Sequence, residues 1–141
     1  ASGEYAERHA LAVDLAEAWP AERVAYVACH INAGKGDYGL VVCEAHSGGG
    51  TRLAIDVSGP LGLLPELART VVGTTKQFPR AAVTIRGIWS GPPNVCGVCF
   101  EPFFLDQPAH AALAEPDGLR RVGQALAAGL LAWDGSYPKG V

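Results

Sequence analysis

From Val95 to Phe100 every residue is apolar or small, and the run closes on Glu101-Pro102 with Phe103-Phe104 behind it. A strand with one face in water alternates polar and apolar residues. A continuous apolar run of this length is a strand buried on both faces. Such a strand needs a layer above it and a layer below it. Such runs, mixed with the helices read elsewhere in the chain, give the expected class, α/β: a single domain over 1–141 with a mixed sheet and helices on both faces. A length of 141 residues suits one such domain with a real core.

The remaining elements follow from periodicity and breakers. Ser2 to Trp19 reads as a helix with Ser2 as its cap and Glu4 in its first turn. Leu11, Leu15 and Trp19 recur every four residues and predict an inward stripe, and Pro20 ends the segment. Val24–His30 and Tyr38–Ala45 read as strands. The short connection Ala33-Gly34-Lys35-Gly36-Asp37 predicts that they are antiparallel neighbours. Ser47-Gly48-Gly49-Gly50 reads as a turn, Thr51–Ser58 as a helix interrupted at Gly59-Pro60, and Pro65–Val72 as its continuation. Ala81–Ile88 reads as a strand, Ser90-Gly91-Pro92-Pro93 as a loop, and Asp117–Trp133 as a closing helix with Leu119, Val122, Leu126 and Leu130 on its apolar face. The tail from Asp134 to Val141 reads as irregular.

Composition narrows the partners. Hydrophobic residues make up 49% and charged residues 18%, so the chain folds. The net charge of -3, without a basic cluster, argues against nucleic acid. No apolar run is long enough to span a membrane. Cys96 and Cys99 form a C-x-x-C, a spacing shared with zinc and redox motifs. Residues three apart on a strand point to opposite faces, and no second pair exists, so structural thiols are expected at Cys29, Cys43, Cys96 and Cys99.

Chemistry concentrates at two strand ends. His30 leaves its strand beside Asn32 and a Gly-rich loop, where an imidazole can serve as a metal ligand or pack as a hydrogen-bonded histidine. Asn32 is a turn former or an orienting amide. Glu101 closes the buried strand, and Pro102 keeps its backbone extended. The apolar setting of Phe100, Phe103 and Phe104 predicts a raised pKa, suited to taking a proton from water. Glu4 falls within roughly 20° of Leu11 and Leu15 around a helix, and Glu7 about 60° from that line. His9, His46 and His110 have no comparable context.

Together these motifs resemble the zinc-dependent N-acetylmuramoyl-L-alanine amidases of bacterial and phage cell-wall lysis. Ala28-Cys29-His30-Ile31-Asn32-Ala33 is similar to that family's Ser-Ile-His-Ala-Asn-Ala-like strand end. Val98-Cys99-Phe100-Glu101-Pro102-Phe103-Phe104-Leu105-Asp106 is similar to its last strand, which ends in a glutamate before the closing helix. Ser47-Gly48-Gly49-Gly50-Thr51 looks like the turn and helix start between them. The resemblance spans about Val24 to Trp133. It implies a zinc held by two histidines and a glutamate, with His30 as the second histidine and Glu101 as the base for a zinc-bound water. In one register Glu4 is the glutamate ligand. In another, Ser2 to Trp19 is the family's second helix and Glu4 is not a ligand. The family's Asp-Pro-Gly-His-Gly-like loop has no counterpart here, so the chain is expected to be a compact variant or N-terminally incomplete. The implied partner is peptidoglycan, and the implied location is the cell wall, outside the cell or in the periplasm. The alternative is a cell-wall-binding module that keeps the fold without catalysis.

Overall fold

The computed structural model describes residues 2–20, 23–44, 48–89 and 92–135, the side chains of 2–4, 48, 89 and 135 excepted. Among the described residues, four strands and four α-helices follow one another: α1 (Ser2–Ala18), β1 (Val24–Cys29), β2 (Gly39–Cys43), α2 (Gly48–Leu61), β3 (Thr70–Thr74), α3 (Pro79–Trp89), β4 (Val95–Glu101) and α4 (Pro116–Gly135). Short 3-10 turns lie at Pro65–Leu67 and Pro108–Ala114. The sheet order is β1-β4-β2-β3. β1 runs parallel to β4, β2 runs parallel to β3, and the central β2–β4 pair is antiparallel. The mixed α/β class expected from the apolar runs is the one observed.

The run that most constrained the fold is β4. It is buried from Val95 to Phe100 and lies between β1 and β2. Alternation along it builds two cores. Cys96, Val98 and Phe100 face Leu53, Ala54, Val57 and Leu61 of α2 and Val122, Ala125 and Trp133 of α4. Cys99, with Ala28, Leu40 and Val42, faces Ala81 and Ile85 of α3. Val95 packs with Ile88 of α3 and with Ala12 and Ala16 of α1. Cys96 and Cys99 thus serve opposite layers, and all four cysteines are free.

Several sequence-based expectations need correction. Ala81–Ile88 is not a strand but the body of α3. Its buried residues Ala81, Thr84, Ile85 and Ile88 fall at i, i+3, i+4 and i+7, a helical stripe inside a β-branched sequence. Pro65–Val72 is not a helix. It is a 3-10 turn followed by β3, whose Thr-Val-Val core suits a strand. Gly48–Gly50 open α2 rather than form a turn, and α2 continues through Gly59-Pro60 to Leu61. Pro60 lies in the last turn of α2, where it removes the hydrogen bond to the Asp56 carbonyl, and the helix ends at Leu61. β1 and β2 are not neighbours, because β4 inserts between them. The short loop that follows β1 therefore crosses the end of β4 instead of making a hairpin.

In α1 the stripe of Leu11, Leu15 and Trp19 faces outward, with exposures of 62%, 42% and 56%. The buried face is His9, Ala12 and Ala16. Small residues there let α1 settle closely on α3 and the sheet. His9 fixes the contact: its Nε2 lies 2.7 Å from the Thr84 carbonyl, and its Nδ1 accepts from the Gly87 amide at 3.1 Å. A carbonyl only accepts, so the imidazole carries its hydrogen on Nε2. In α4 the buried face is Val122, Ala125 and Trp133, with Leu126 and Leu130 half-buried and Leu119 exposed.

Candidate functional site

β1 and β4 run in the same direction and end side by side. Cys29 pairs with Phe100, and the ladder runs one residue further, where His30 donates its amide to the Phe100 carbonyl at 2.9 Å. His30 and Glu101 thus occupy matching positions just past this pairing. In a parallel pair, matched residues project to the same side of the sheet. The sequence alone separates these residues by 71 positions (101 − 30), and the strand order puts them together. This is the carboxyl-end mouth of the sheet, where α/β proteins commonly place their ligands.

The loop after each strand is held by the other. Asn32 donates its amide to Phe103 O (3.1 Å), and its carbonyl accepts from the Leu105 amide (2.8 Å). The Asp106 amide donates to Gly34 O (3.0 Å), while the Gly34 amide donates to Asp106 Oδ2 (3.2 Å). Gln107 Nε2 donates to Lys35 O at 2.7 Å. Gly34 has φ +100°, a conformation that favours glycine, and it lets the loop turn back along Leu105-Asp106. The two ends therefore form one rigid corner rather than two separate loops.

Electrostatics at the corner centre on Glu101. Burial pushes its carboxyl above the ordinary range. The His30 imidazole, the Cys99 thiol and the Asn32 amide each pull it part of the way back. Asn32 Nδ2 is buried and makes no hydrogen bond of proper geometry among the described residues. The amide is near enough to act on Glu101 through its dipole but not aligned with it. Beneath the carboxyl, the Cys99 thiol is pushed up to about 12 by burial, relieved by Thr84 and raised further by Glu101. It stays a neutral thiol and packs as a hydrophobe.

His30 is half-buried, and its Nε2 lies 3.0 Å from the Tyr5 hydroxyl, with the two rings tilted at 32° and their centroids 6.0 Å apart. Tyr5 carries no sequence signal as a site residue. Only the packing of α1 on β1 reveals it. His110 is a second residue the sequence did not single out. It is fully buried, and its Nδ1 accepts the Phe104 amide at 3.0 Å. Its Nε2 therefore carries the hydrogen and points toward Asp37 Oδ1 at 3.6 Å. His110 holds the segment after β4 through the Phe104 amide, and its buried Nε2 makes no hydrogen bond among the described residues.

The structure brings together His30, Asn32 and Glu101 among the residues expected from sequence. Glu4 lies within α1, but its side chain is outside the described residues, as is His46. His9 spends both ring nitrogens on α3 and takes no part. A catalytic zinc takes three protein ligands. Among the described residues no three His, Cys, Asp or Glu side chains are grouped to hold a metal. His30 Nε2 is engaged by Tyr5, and His110 Nδ1 is taken by the Phe104 amide. The described residues therefore do not make up a zinc site by themselves. No helix among them is long and apolar enough to cross a membrane.

No protein-family model matches the chain, and no curated protein matches it.

Proposed function

We propose that this chain is a peptidoglycan hydrolase that cleaves the amide between N-acetylmuramic acid and L-alanine, with Glu101 as general base. One observation carries the reading: His30 and Glu101 leave adjacent parallel strands at matched positions, and burial raises the Glu101 pKa. A carboxylate of raised pKa is a stronger base toward water once it ionises. Glu101 takes the proton of an attacking water and returns one to the leaving amine of alanine. Asn32 and His30 lie beside the carboxylate and favour its ionised form. The resemblance adds zinc, held in part by His30 and, in one register, by Glu4. Bound zinc would polarise the scissile carbonyl and acidify water. Action on this substrate places the protein at the cell wall, outside the cell or in the periplasm.

The test is digestion of purified peptidoglycan. New amino termini at L-alanine should appear while the glycan strands stay intact. Glu101→Gln should lower the rate by about 10²–10⁴-fold, the usual contribution of a positioned base. A Glu101→Gln protein with full activity overturns the assignment. Metal analysis of the purified chain tests zinc separately.

A second reading follows from the described residues, which hold no group of three metal ligands: a cell-wall-binding module that retains the fold without catalysis. Its signature is co-sedimentation with peptidoglycan sacculi and no release of alanine termini.

A further inference from the structure

The sheet carries the mouth of the candidate site past β4. Glu101 pairs with Leu40 of β2, and Leu40 pairs with Val71 of β3. The β2–β3 ladder reaches Gly39 and Thr70, and the Gly39 amide donates to Arg69 O at 3.0 Å. One step further, Tyr38 and Arg69 stand at matched positions. Matched residues of paired strands, and alternate residues of one strand, share a face. Tyr38, Leu40 and Val71 pack with Cys99 against Ala81 and Ile85 of α3. Glu101 follows Cys99 by two residues and lies on the same face. His30, Glu101, Tyr38 and Arg69 therefore sit on one side of one sheet end. With strands about 4.8 Å apart and a rise of about 3.3 Å per residue, the Arg69 Cα is roughly 12 Å from that of Glu101. Two extended residues span about 7 Å, and the two side chains make up the rest.

Arg69 is anchored to this corner by aromatic rings. Its guanidinium carbon lies 5.4 Å over the Tyr38 ring centroid, and Tyr38 meets Phe104 edge-on at 4.9 Å. Phe104 is buried and bridges to Asn32. Stacking holds the guanidinium plane and leaves its edge N–H groups for a ligand. The neighbouring carboxylates are turned elsewhere. Glu66 grips Arg121 with both oxygens, and Asp37 lies 3.6 Å from His110 Nε2. Among the described residues Arg69 makes no ion pair.

We propose, resting on the hydrolase reading of Glu101, that Arg69 sets substrate specificity by binding a carboxylate on the residue that follows the alanine of the scissile amide. A second stacked cation flanks the mouth on the His30 side: the Arg8 guanidinium carbon lies 5.7 Å over the Tyr5 ring. Arg8 is already engaged beyond Tyr5, whereas Arg69 has only its ring. The acyl side of the bond is a neutral lactyl group, and the peptide side is where a carboxylate stands. The peptide therefore runs from Glu101 toward β3.

Two probes that differ by one charge test this. Lactoyl-L-alanylglycine ends in a carboxylate at the second residue, and lactoyl-L-alanylglycinamide is neutral there. Calorimetry on the Glu101→Gln protein reads binding without consuming either probe. The carboxylate should bind about tenfold more tightly than the amide, the scale of a charge-assisted pair at an open site. The preference should shrink at high salt. Arg69→Gln should erase it by weakening the carboxylate alone, and the carbonyl contact to Gly39 is backbone and survives the change. Arg69→Lys should keep part of it, as a charge without the planar fork. Arg8→Gln and Lys35→Gln should leave it whole. Equal binding of the two probes overturns the proposal. So does binding of neither up to about 10 mM, a preference that survives Arg69→Gln, or one that is lost with Arg8 or Lys35. A preference that follows Arg69, in a chain whose wild type releases no alanine termini from peptidoglycan, upholds the carboxylate subsite and removes the hydrolase reading.

Discussion

The Tyr5 hydroxyl and His30 Nε2 lie 3.0 Å apart and join the first turns of α1 to the end of β1. Tyr5→Phe keeps the ring and its tilted stacking on the imidazole but removes the hydrogen bond. The fold should hold, and the His30 Nε2 resonance should shift in nitrogen NMR. If His30 serves the proposed reaction, kcat should fall about fivefold, corresponding to a hydrogen bond worth about 1 kcal/mol. KM should change little. An unchanged His30 spectrum would show that the contact does not exist in solution.

Glu101 should lower stability at neutral pH. Its folded pKa is raised by burial above the ordinary 4.5. The folded state therefore binds this proton more tightly than the unfolded chain does. Its favourable contribution is present below the unfolded pKa and is lost as pH rises through the folded pKa. Glu101→Gln removes the buried charge. Its Tm relative to the wild type should rise as pH climbs from 4 toward 7, then level off. A Tm difference that stays constant with pH would contradict the burial. His30→Ala should push the Glu101 titration further up, since the imidazole now pulls it down.

Glu66 and Arg121 form a two-pronged pair, Oε2 to Nη2 at 2.6 Å and Oε1 to Nη1 at 3.1 Å. The pair holds the turn after α2 against α4. The guanidinium lowers the Glu66 carboxyl to about 2. For a depressed carboxylate, stability is present above the unfolded pKa of about 4.5 and is lost as pH falls toward 2. Arg121→Ala should therefore lower Tm by roughly 2–4 °C at pH 7, within the modest range for partly exposed pairs. The difference should vanish near pH 2. Melting curves across that range, at low and high salt, check the prediction.

His9 is a buried bolt between α1 and α3. His9→Ala leaves the Gly87 side of the contact empty and should cost about 2–4 kcal/mol in urea unfolding. Gly87→Ala acts from the other side, because a methyl group there would land on the His9 ring, 2.5 Å from Nδ1. Both variants should loosen α1 and leave the β2–β3 pair intact. Hydrogen exchange resolved by element would show the difference.

The sequence made the strand-end chemistry legible. Glu101 closes an apolar run that reads as a buried strand, and His30-Ile31-Asn32 breaks a second strand with a glycine-rich turn. Both lie where expected. The neighbours that act on them were hidden. Tyr5 reaches His30 through helix packing, and His110 accepts the Phe104 amide. Neither contact leaves a local pattern.

The misread elements share a cause as well. α3 is rich in Val, Thr and Ile, which mimic a strand unless the i, i+3, i+4, i+7 spacing of Ala81, Thr84, Ile85 and Ile88 is weighed first. In α1 the large residues mark the wrong face, because Ala12 and Ala16 are buried by close approach rather than by size. Strand order was out of reach for a different reason. The loop from Ala33 to Asp37 suits a hairpin, and only the insertion of β4 overrides it.

That insertion has a temporal side. β1 and β2 emerge early in synthesis, yet each needs β4 as its neighbour, and β4 ends at Glu101. Until then the first strand has no partner among the described elements, and only β2 and β3 can pair. Contacts of such sequence separation slow folding. The corner of His30 and Glu101 should therefore be among the last parts to mature, so a chain halted before residue 101 would present His30 without the carboxylate beside it.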